Sequence, residues 1–248
     1  MPAVHPALRR AAGFVLDLVL PPRCPSCREI VTSDGSFCVA CWARLDFLTA
    51  PLCACCGLPF AYAAADGALC GACLADPPAF DRARAAVRYD DASSGLVLAL
   101  KYADRTQLAR PMARLMARAV PAADSSLVVV PVPLHPRRLR QRLFNQAVLL
   151  ARPLARHWRA TLLPDALERR RDTPPTRGLS RAARLRNVAG AIALSPRAAG
   201  RLAGRDVLLV DDVMTTGATV DACARQLRRA GARNIDVVTF ARVAHDTG

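Results

Sequence analysis

From Val207 to Thr219 the chain reads Val-Leu-Leu-Val-Asp-Asp-Val-Met-Thr-Thr-Gly-Ala-Thr, and this stretch constrains the fold more than any other. Four apolar, mostly branched residues in a row predict a strand buried on both faces, as in a parallel sheet. Two carboxylates, Asp211 and Asp212, follow where that strand is expected to end. A turn of small and hydroxylated residues then opens into Val220–Leu227, which has helical spacing. Strand, small-residue turn and helix together aim free backbone N–H groups and the positive helix end at an anion, usually a phosphate. The threonine hydroxyls add donors. The carboxylates repel a phosphate but suit the hydroxyls of a ribose, or a metal ion. The stretch therefore reads as a site for a ribose 5-phosphate.

An apolar strand ending in Asp-Asp also occurs as the Walker B strand of ATPases. That reading needs a Gly-x4-Gly-Lys-Ser/Thr loop elsewhere. The only lysine, Lys101, sits in Ala-Leu-Lys-Tyr-Ala-Asp, so an ATPase is disfavoured. The run resembles instead the phosphoribosyl-pyrophosphate (PRPP) loop of type I phosphoribosyltransferases. The resemblance implies that Asp211 and Asp212 meet the ribose hydroxyls as the catalytic acids, and that the loop from Val210 through Val213, Met214, Thr215, Thr216, Gly217 and Ala218 to Thr219 holds the 5-phosphate.

Nine of the ten cysteines fall between residues 24 and 73, and eight form C-x2-C pairs: Cys24/Cys27, Cys38/Cys41, Cys53/Cys56 and Cys70/Cys73. Two residues between sulfurs let a tight turn present both thiolates to one metal, and two such turns complete a tetrahedron. Four pairs make two structural zinc sites, paired sequentially in the simplest scheme, with an interleaved scheme left open by spacing alone. Cys55 is read as a non-ligand. Regular C-x2-C pairs fit zinc ribbons better than iron–sulfur spacings, and the expected cytosolic setting disfavours disulfides.

The formal charge of +15 predicts attraction to nucleic acid, anionic surfaces or phosphate-rich substrates. With Lys101 the single lysine among 35 basic residues, part of the arginine excess reads as coding bias of a GC-rich genome. No apolar run reaches the ~20 residues that span a bilayer, so no membrane insertion is expected. The start mimics a signal peptide, but Asp17 interrupts its apolar stretch and no small-x-small cleavage site follows. Residues 1–22 are read as an amphipathic helix stopped by Pro21-Pro22, residues 23–79 as a double zinc-ribbon domain, and residues 80–248 as the α/β domain.

Within that last segment Ala85–Tyr89 predicts a strand, Leu96–Tyr102 and Leu108–Val120 helices, and Leu127–Val130 a second buried strand. Lys101-Tyr102 could reach a ligand, but the favoured reading is an exposed helix-end lysine. The Pro131–Arg142 stretch predicts a rigid, arginine-bearing loop, because prolines cannot extend a ladder. Ligands of open α/β sheets sit at the carboxyl ends of strands, so this loop is expected beside Asp211 and Asp212. Arg137, Arg138, Arg140 and Arg142 are its candidate pyrophosphate partners. His135 reads as solvated or structural rather than as a catalytic base. A helix follows from Phe144, and Thr161–Leu163 is a weak third strand. Residues 169–188 are long, polar and arginine-dense, as a lid that excludes water would be. Cys223 reads as an inert core thiol, and Ile235–Phe240 as the last strand.

Paired C-x2-C ribbons, Val-Pro-Val-Pro-Leu-His-Pro-Arg-Arg with Phe-Asn-Gln-Ala, and Thr-Pro-Pro with Gly-Leu-Ser-Arg-Ala and Arg-Leu-Arg-Asn-Val precede the PRPP-loop run. In this order they resemble the ComF family of competence-associated proteins, over roughly residues 14 to 243. The resemblance implies an α/β fold: a type I phosphoribosyltransferase-like parallel sheet flanked by helices, preceded by a small zinc-ribbon domain. It implies a pyrophosphate loop containing Pro133, His135, Arg137, Arg138, Arg140 and Arg142. It implies a flexible loop containing Arg177, Ser180, Arg181, Arg184 and Asn187. About two structural Zn2+, Mg2+ carried with PRPP, a nitrogen acceptor left unidentified, and single-stranded DNA or competence proteins as partners complete the expectation, with oligomerisation left open. Two residues depart from the pattern: Leu143 stands where Gly is expected before Phe-Asn-Gln, and Thr176 where Gln usually follows the two prolines.

Overall fold

The computed structural model describes residues 21–120, 126–172 and 187–244. The expected helix of residues 1–22 lies almost wholly outside them. Among the described residues no helix is long and apolar enough to cross a membrane. The chain forms two compact units, one ending at Leu45 and one beginning at Asp46.

Each unit contains one copy of the same cysteine knuckle. In the first, Cys24 N–H donates to Glu29 O (2.7 Å) and Arg28 N–H to Cys24 O (3.0 Å), closing a turn behind Cys24 and Cys27. Cys38 then caps a short helix, α1 (Val39–Ala43), which carries Cys41. In the second unit Cys53 N–H donates to Leu58 O (2.8 Å) and Gly57 N–H to Cys53 O (2.9 Å), and Cys70 caps α2 (Gly71–Ala75), which carries Cys73. The repeat is local in origin, since two residues between the cysteines force the same turn twice.

The larger unit is built on a five-stranded sheet in the order β1 (Arg82–Arg88), β7 (Asn234–Arg242), β6 (Asp206–Met214), β2 (Val128–Pro131), β3 (Thr161–Leu162). Every neighbouring pair is parallel. Val207 to Val210 are buried, as a strand covered on both faces requires. The strand continues through both carboxylates to Met214, four residues beyond its expected end, because Asp211 and Met214 still pair with Thr239 and Arg242 of β7. Helices α3 (Asp91–Tyr102), α4 (Ala109–Ala119), α6 (Gln146–Trp158) and α7 (Ala218–Arg229) make the crossovers. Strands β4 (Leu167–Arg169) and β5 (Ile192–Leu194) form a separate antiparallel pair.

One further reading changes. The Pro131–Arg142 stretch is not loop throughout: α5 (Pro136–Arg142) begins where the His135 ring accepts from Arg137 N–H (3.3 Å). Proline at a first helical position loses no internal hydrogen bond and supplies the helical φ, so Pro136 starts a helix where Pro131 and Pro133 do not. The two compact units divide at Leu45/Asp46, between the two cysteine knuckles. The reason is packing. Cys53, Cys56, Cys70 and Cys73 are buried in one cluster with Phe80, Ala83, Met214, Val220 and Val237. Ala83 N–H donates to Cys55 O (2.7 Å) and Arg84 Nη1 to Ala54 O (3.2 Å), tying β1 to the second knuckle. Gly57 is required at that junction, where φ is +69° and a Cβ would stand 2.5 Å from Ala83 O.

Leu143, the departure from the expected Gly, caps α5 with φ at +63° and is 84% exposed. A left-handed conformation costs a side-chain-bearing residue about 1–2 kcal/mol, partly offset by the extra chain entropy glycine would lose on folding. Leu143→Gly is expected to raise the denaturation midpoint, by up to about 1 kcal/mol of stability. An unchanged or lowered midpoint in urea would show that this turn holds no strain.

Candidate functional site

Strand β2 leads through α6 to its neighbour β3, whereas β6 leads through α7 to its neighbour β7 on the other side. The order reverses between β2 and β6, and a crevice opens at the carboxyl ends of strands at such a point. Pro131 pairs with Val210 across it, and Val132 N–H donates to Val210 O (2.8 Å). Asp211 and Asp212 on β6, and the residues from Pro133 to Arg142 after β2, therefore meet at one edge, as the sequence suggests.

The turn after β6 closes into α7 through Gly217, at φ +82°. A Cβ there would come within 2.9 Å of the Met214 methyl, so glycine keeps the turn tight. No side chain caps α7, which leaves its first N–H groups for an anion. A cavity of about 40 Å3 is lined by Val188, Asp211 and the Val213–Val220 run. Thr216 Oγ1, in that run, is buried without a hydrogen-bond partner. An anion seated in the cavity would meet this hydroxyl and the helix end together.

The two carboxylates have different surroundings. Asp212 is 3% exposed, takes a hydrogen bond from Gln146 Nε2 (3.3 Å), and lies 2.5 Å from Lys101 Nζ. Lys101 is thus not an exposed helix-end lysine. Burial disfavours its charge, but the Asp212 carboxylate overcomes this and raises its pKa. Behind Gln146 the network continues: Arg142 Nη1 donates to Gln146 Oε1 (3.2 Å) and Arg142 Nη2 to Tyr102 Oη (2.7 Å). Asp211 is half-buried and accepts from Asp212 N–H (2.9 Å). Burial, with the Asp212 charge adding to it, pushes the Asp211 carboxyl up to about 8. A group raised in this way contributes stability that is fully present below pH ~4 and lost as pH rises through about 8.

The candidate pyrophosphate residues separate into two groups. Arg138 Nε lies 3.4 Å and Arg137 Nη1 3.8 Å from the Asp172 carboxylate, with His135 Nδ1 at 3.9 Å. Arg140 is exposed on α5, and Arg142 belongs to the Asp212 network. Pro133 is buried at the base of this loop. Arg177, Ser180, Arg181 and Arg184 lie outside the described residues. Asn187 O accepts from Arg171 Nη2 (3.1 Å), which also donates to Ala189 O (2.7 Å). Arg169 on β4 sits among Arg138, Asp211 and Asp172, its pKa lowered by burial first and by Arg138 next. Sequence reasoning ranks a ligand-facing Lys101 second and misses Gln146 and Arg169 as members of this edge. For Lys101 a signal exists: in a chain that uses arginine almost everywhere, one retained lysine stands out. Lysine differs from arginine in placing a compact point charge on a flexible stem instead of a planar five-donor fork.

The cysteines form two tight groups, Cys24 with Cys27, Cys38 and Cys41, and Cys53 with Cys56, Cys70 and Cys73; within each the four sulfurs lie within 4.8 Å of one another. The pairing is sequential, and Cys55 is not a member. Tetrahedral zinc–thiolate bonds of about 2.3 Å place sulfurs about 3.8 Å apart; Cys27–Cys38 and Cys56–Cys70 stand at 3.6 Å. Backbone N–H groups of Cys38 and Cys70 point at the Cys24 and Cys53 sulfurs (3.4 and 3.3 Å), favouring thiolates. Both groups fit about two structural zinc ions.

Comparison with known proteins agrees with both halves. Residues 15–74 match the double zinc ribbon domain, and residues 145–248 match the phosphoribosyl transferase domain. The DNA utilization protein YhgH of Salmonella typhimurium is 35% identical over 233 residues, covering 91% of this chain and 99% of that protein. Competence protein F of Haemophilus influenzae is 31% identical over 227 residues, covering 89% and 96%. The chain belongs to the ComF family. A shorter match, 54% identity over 43 residues, links this ComF-family chain to the adenine phosphoribosyltransferase of Rhodococcus jostii, covering 17% of the chain and 24% of that protein. The ComF relatives are matched along nearly their whole length, and the match spans both the ribbon and the sheet segments of this chain.

Proposed function

We propose that this ComF-family chain binds PRPP and transfers its phosphoribosyl group to a nitrogen acceptor in the service of DNA uptake. The observation that carries the reading is the joint placement of an acid pair and an uncapped helix end at the sheet's reversal point. In this reading the 5-phosphate lies on the Thr215–Thr219 turn and the ribose hydroxyls on Asp211 and Asp212. Lys101 and Gln146 hold Asp212 in one rotamer. Arg137 and Arg138, held near Asp172, are positioned to turn toward the pyrophosphate. The bond from ribose C1 to the pyrophosphate oxygen breaks, its electron pair leaving with pyrophosphate. A bond from the acceptor nitrogen to C1 forms, and the acceptor's proton passes to water. Mg2+ arriving with PRPP supplies neutralisation of the leaving oxygens. Names of the relatives, DNA utilization protein and competence protein, support the setting in DNA uptake.

The pH dependence tests this directly. If Asp211 must be ionised to accept ribose hydroxyl hydrogens, a carboxyl raised to about 8 releases a proton on binding. PRPP–Mg affinity is then expected to rise up to tenfold per pH unit between about 6 and 8 and to level off above. Calorimetry in buffers of different ionisation enthalpy should show release approaching one proton at about pH 6–7. Absence of binding heat throughout this range would sink the reading.

A second reading, single-stranded nucleic acid as partner, has its own observation. Every exposed position on α4 is an arginine (Arg110, Arg114, Arg118), and the exposed positions on the adjacent α6 are Arg152, Arg156 and His157. A groove of about 400 Å3 runs between the two helices. Like charges four residues apart weaken a helix, and a polyanion relieves that repulsion. Arg110→Glu with Arg156→Glu is expected to weaken single-stranded DNA binding and to reduce its salt slope by about 0.7 for each phosphate no longer neutralised. Identical slopes would remove the groove from consideration.

A further inference from the structure

Asp212, the more buried of the two acids, is met at both of its oxygens. Lys101 Nζ lies 2.5 Å from Oδ2, and Gln146 Nε2 donates to Oδ1 (3.3 Å). Gln146 is itself buried, at the first position of α6. Its other amide atom, Oε1, accepts from Arg142 Nη1 (3.2 Å), and Arg142 Nη2 donates to Tyr102 Oη (2.7 Å). The guanidinium carbon of Arg142 stands 4.7 Å from the centre of the Tyr102 ring. A chain of contacts thus runs from the end of α3, through the end of α5 and the start of α6, to the acid on β6.

Donor and acceptor chemistry fixes the direction of this chain. A guanidinium offers only donors and a carboxylate only acceptors, whereas an amide has one end of each kind. Between the two, Gln146 has a single satisfactory orientation, oxygen to Arg142 and nitrogen to Asp212. Take the guanidinium away and that constraint goes with it. The amide can then turn its oxygen toward the carboxylate, where two acceptors face each other and neither is satisfied.

The same bonds set Arg142 apart from its neighbours on α5. Arg137 and Arg138 lie 3.8 and 3.4 Å from the partly exposed Asp172 carboxylate, and loose ion pairs of that kind cost little to release. Arg142 instead commits both terminal nitrogens to oxygens and stacks its guanidinium over a ring. Swinging it toward a ligand would break all three contacts at once.

We propose that Arg142 is a positioning residue for the ribose-binding acid and not a ligand of the pyrophosphate, acting on Asp212 through Gln146. The assignment rests on the ribose reading of the acid pair and adds to it the residues that set how Asp212 faces the ribose. Tyr102 anchors the far end of the relay, which gives the exposed end of α3 a part in the site. Arg137, Arg138 and the exposed Arg140 are the arginines of α5 left for the leaving group.

Calorimetric titration of the full zinc-loaded chain with two probes, ribose 5-phosphate and magnesium pyrophosphate, separates the two roles. The variants are Arg142→Met, Gln146→Leu and the two combined. Each single change is expected to weaken ribose 5-phosphate about tenfold, the size of one lost hydrogen bond to a charged group. The double variant should lose at most about twofold more, because a relay cut at either link is cut only once. Magnesium pyrophosphate affinity should stay within about twofold throughout, which loss of a direct ligand would not allow. Tyr102→Phe, confined to an exposed side chain, keeps the comparison alive should Gln146→Leu fail to fold. It should weaken ribose 5-phosphate about threefold and leave pyrophosphate unchanged. A fall of about fivefold or more in pyrophosphate affinity in Arg142→Met would make Arg142 a ligand and overturn the proposal. Additive losses in the double variant, or unchanged ribose 5-phosphate affinity in Arg142→Met, overturn it as well. All of these results leave PRPP–Mg binding by wild type intact, so they count against the relay alone. Wild type that binds neither PRPP–Mg nor ribose 5-phosphate removes the ribose reading, and the relay with it.

Discussion

Replacing both acids, as Asp211→Asn with Asp212→Asn, is expected to reduce PRPP–Mg affinity by about 100-fold or more while leaving the protein folded. Each lost charge-assisted hydrogen bond to a ribose hydroxyl is worth about 1.5–3 kcal/mol, and two together exceed the roughly 2.7 kcal/mol of a hundredfold change. Asparagine is the right replacement because it keeps an acceptor for Gln146 Nε2, whereas alanine would leave that amide and Lys101 without a partner in a buried site. The two single variants should differ. Asp212→Asn leaves the Lys101 ammonium an amide acceptor but no counter-charge, and should cost stability as well as affinity, a buried charge paired with a carboxylate being far cheaper than one without it. Asp211→Asn removes a carboxyl already pushed up to about 8, so its ligand-free form should hold its stability better than wild type as pH rises from about 6 to about 9. Calorimetric titration with PRPP–Mg, beside urea denaturation at the two pH values, measures all of this. Wild-type affinity in the double variant would end the assignment of the acid pair to the ribose.

Breaking the two cysteine clusters is expected to have unequal consequences. Cys53→Ser should abolish folding of the unit that carries the sheet, because Cys53 is 0% exposed and its cluster shares a core with β1, β6, α7 and β7. A structural zinc contributes about 10–16 kcal/mol in small zinc domains, comparable to the roughly 5–15 kcal/mol that holds a whole domain together. Cys24→Ser should unfold the first knuckle and leave the larger unit able to bind PRPP, since the two clusters belong to separate compact units. Metal analysis should find about two zinc per wild-type chain and about one in Cys24→Ser. Intact far-UV circular dichroism and PRPP binding in Cys53→Ser would show that the second cluster is dispensable to the sheet.

Features whose physics is local were legible in the sequence. The β6–turn–α7 run carries its burial, its acid pair and its glycine within thirteen residues, and the cysteine turns need only their own spacing. Sequential pairing is the simplest scheme, but spacing leaves it open; the positions of the sulfurs select it. Strands β4 and β5, three residues each, are too short for a period-two pattern to register. The start of α5 is hidden because proline reads as a breaker until its position relative to His135 is known.

Other features depended on the fold alone. Lys101 and Asp212 are 111 positions apart in sequence and 2.5 Å apart in space. Arg242 meets Cys56 across 186 residues, and nothing in the spacing of either announces it. The boundary at Leu45/Asp46 is of the same kind: composition groups the two ribbons together, whereas packing gives the second four cysteines to the sheet. Local patterns choose each turn and strand because their energies are set by neighbours in the chain. Which charges end up paired, and which module a core absorbs, is decided only when burial removes water and leaves each group the partners that the parallel sheet brings beside it.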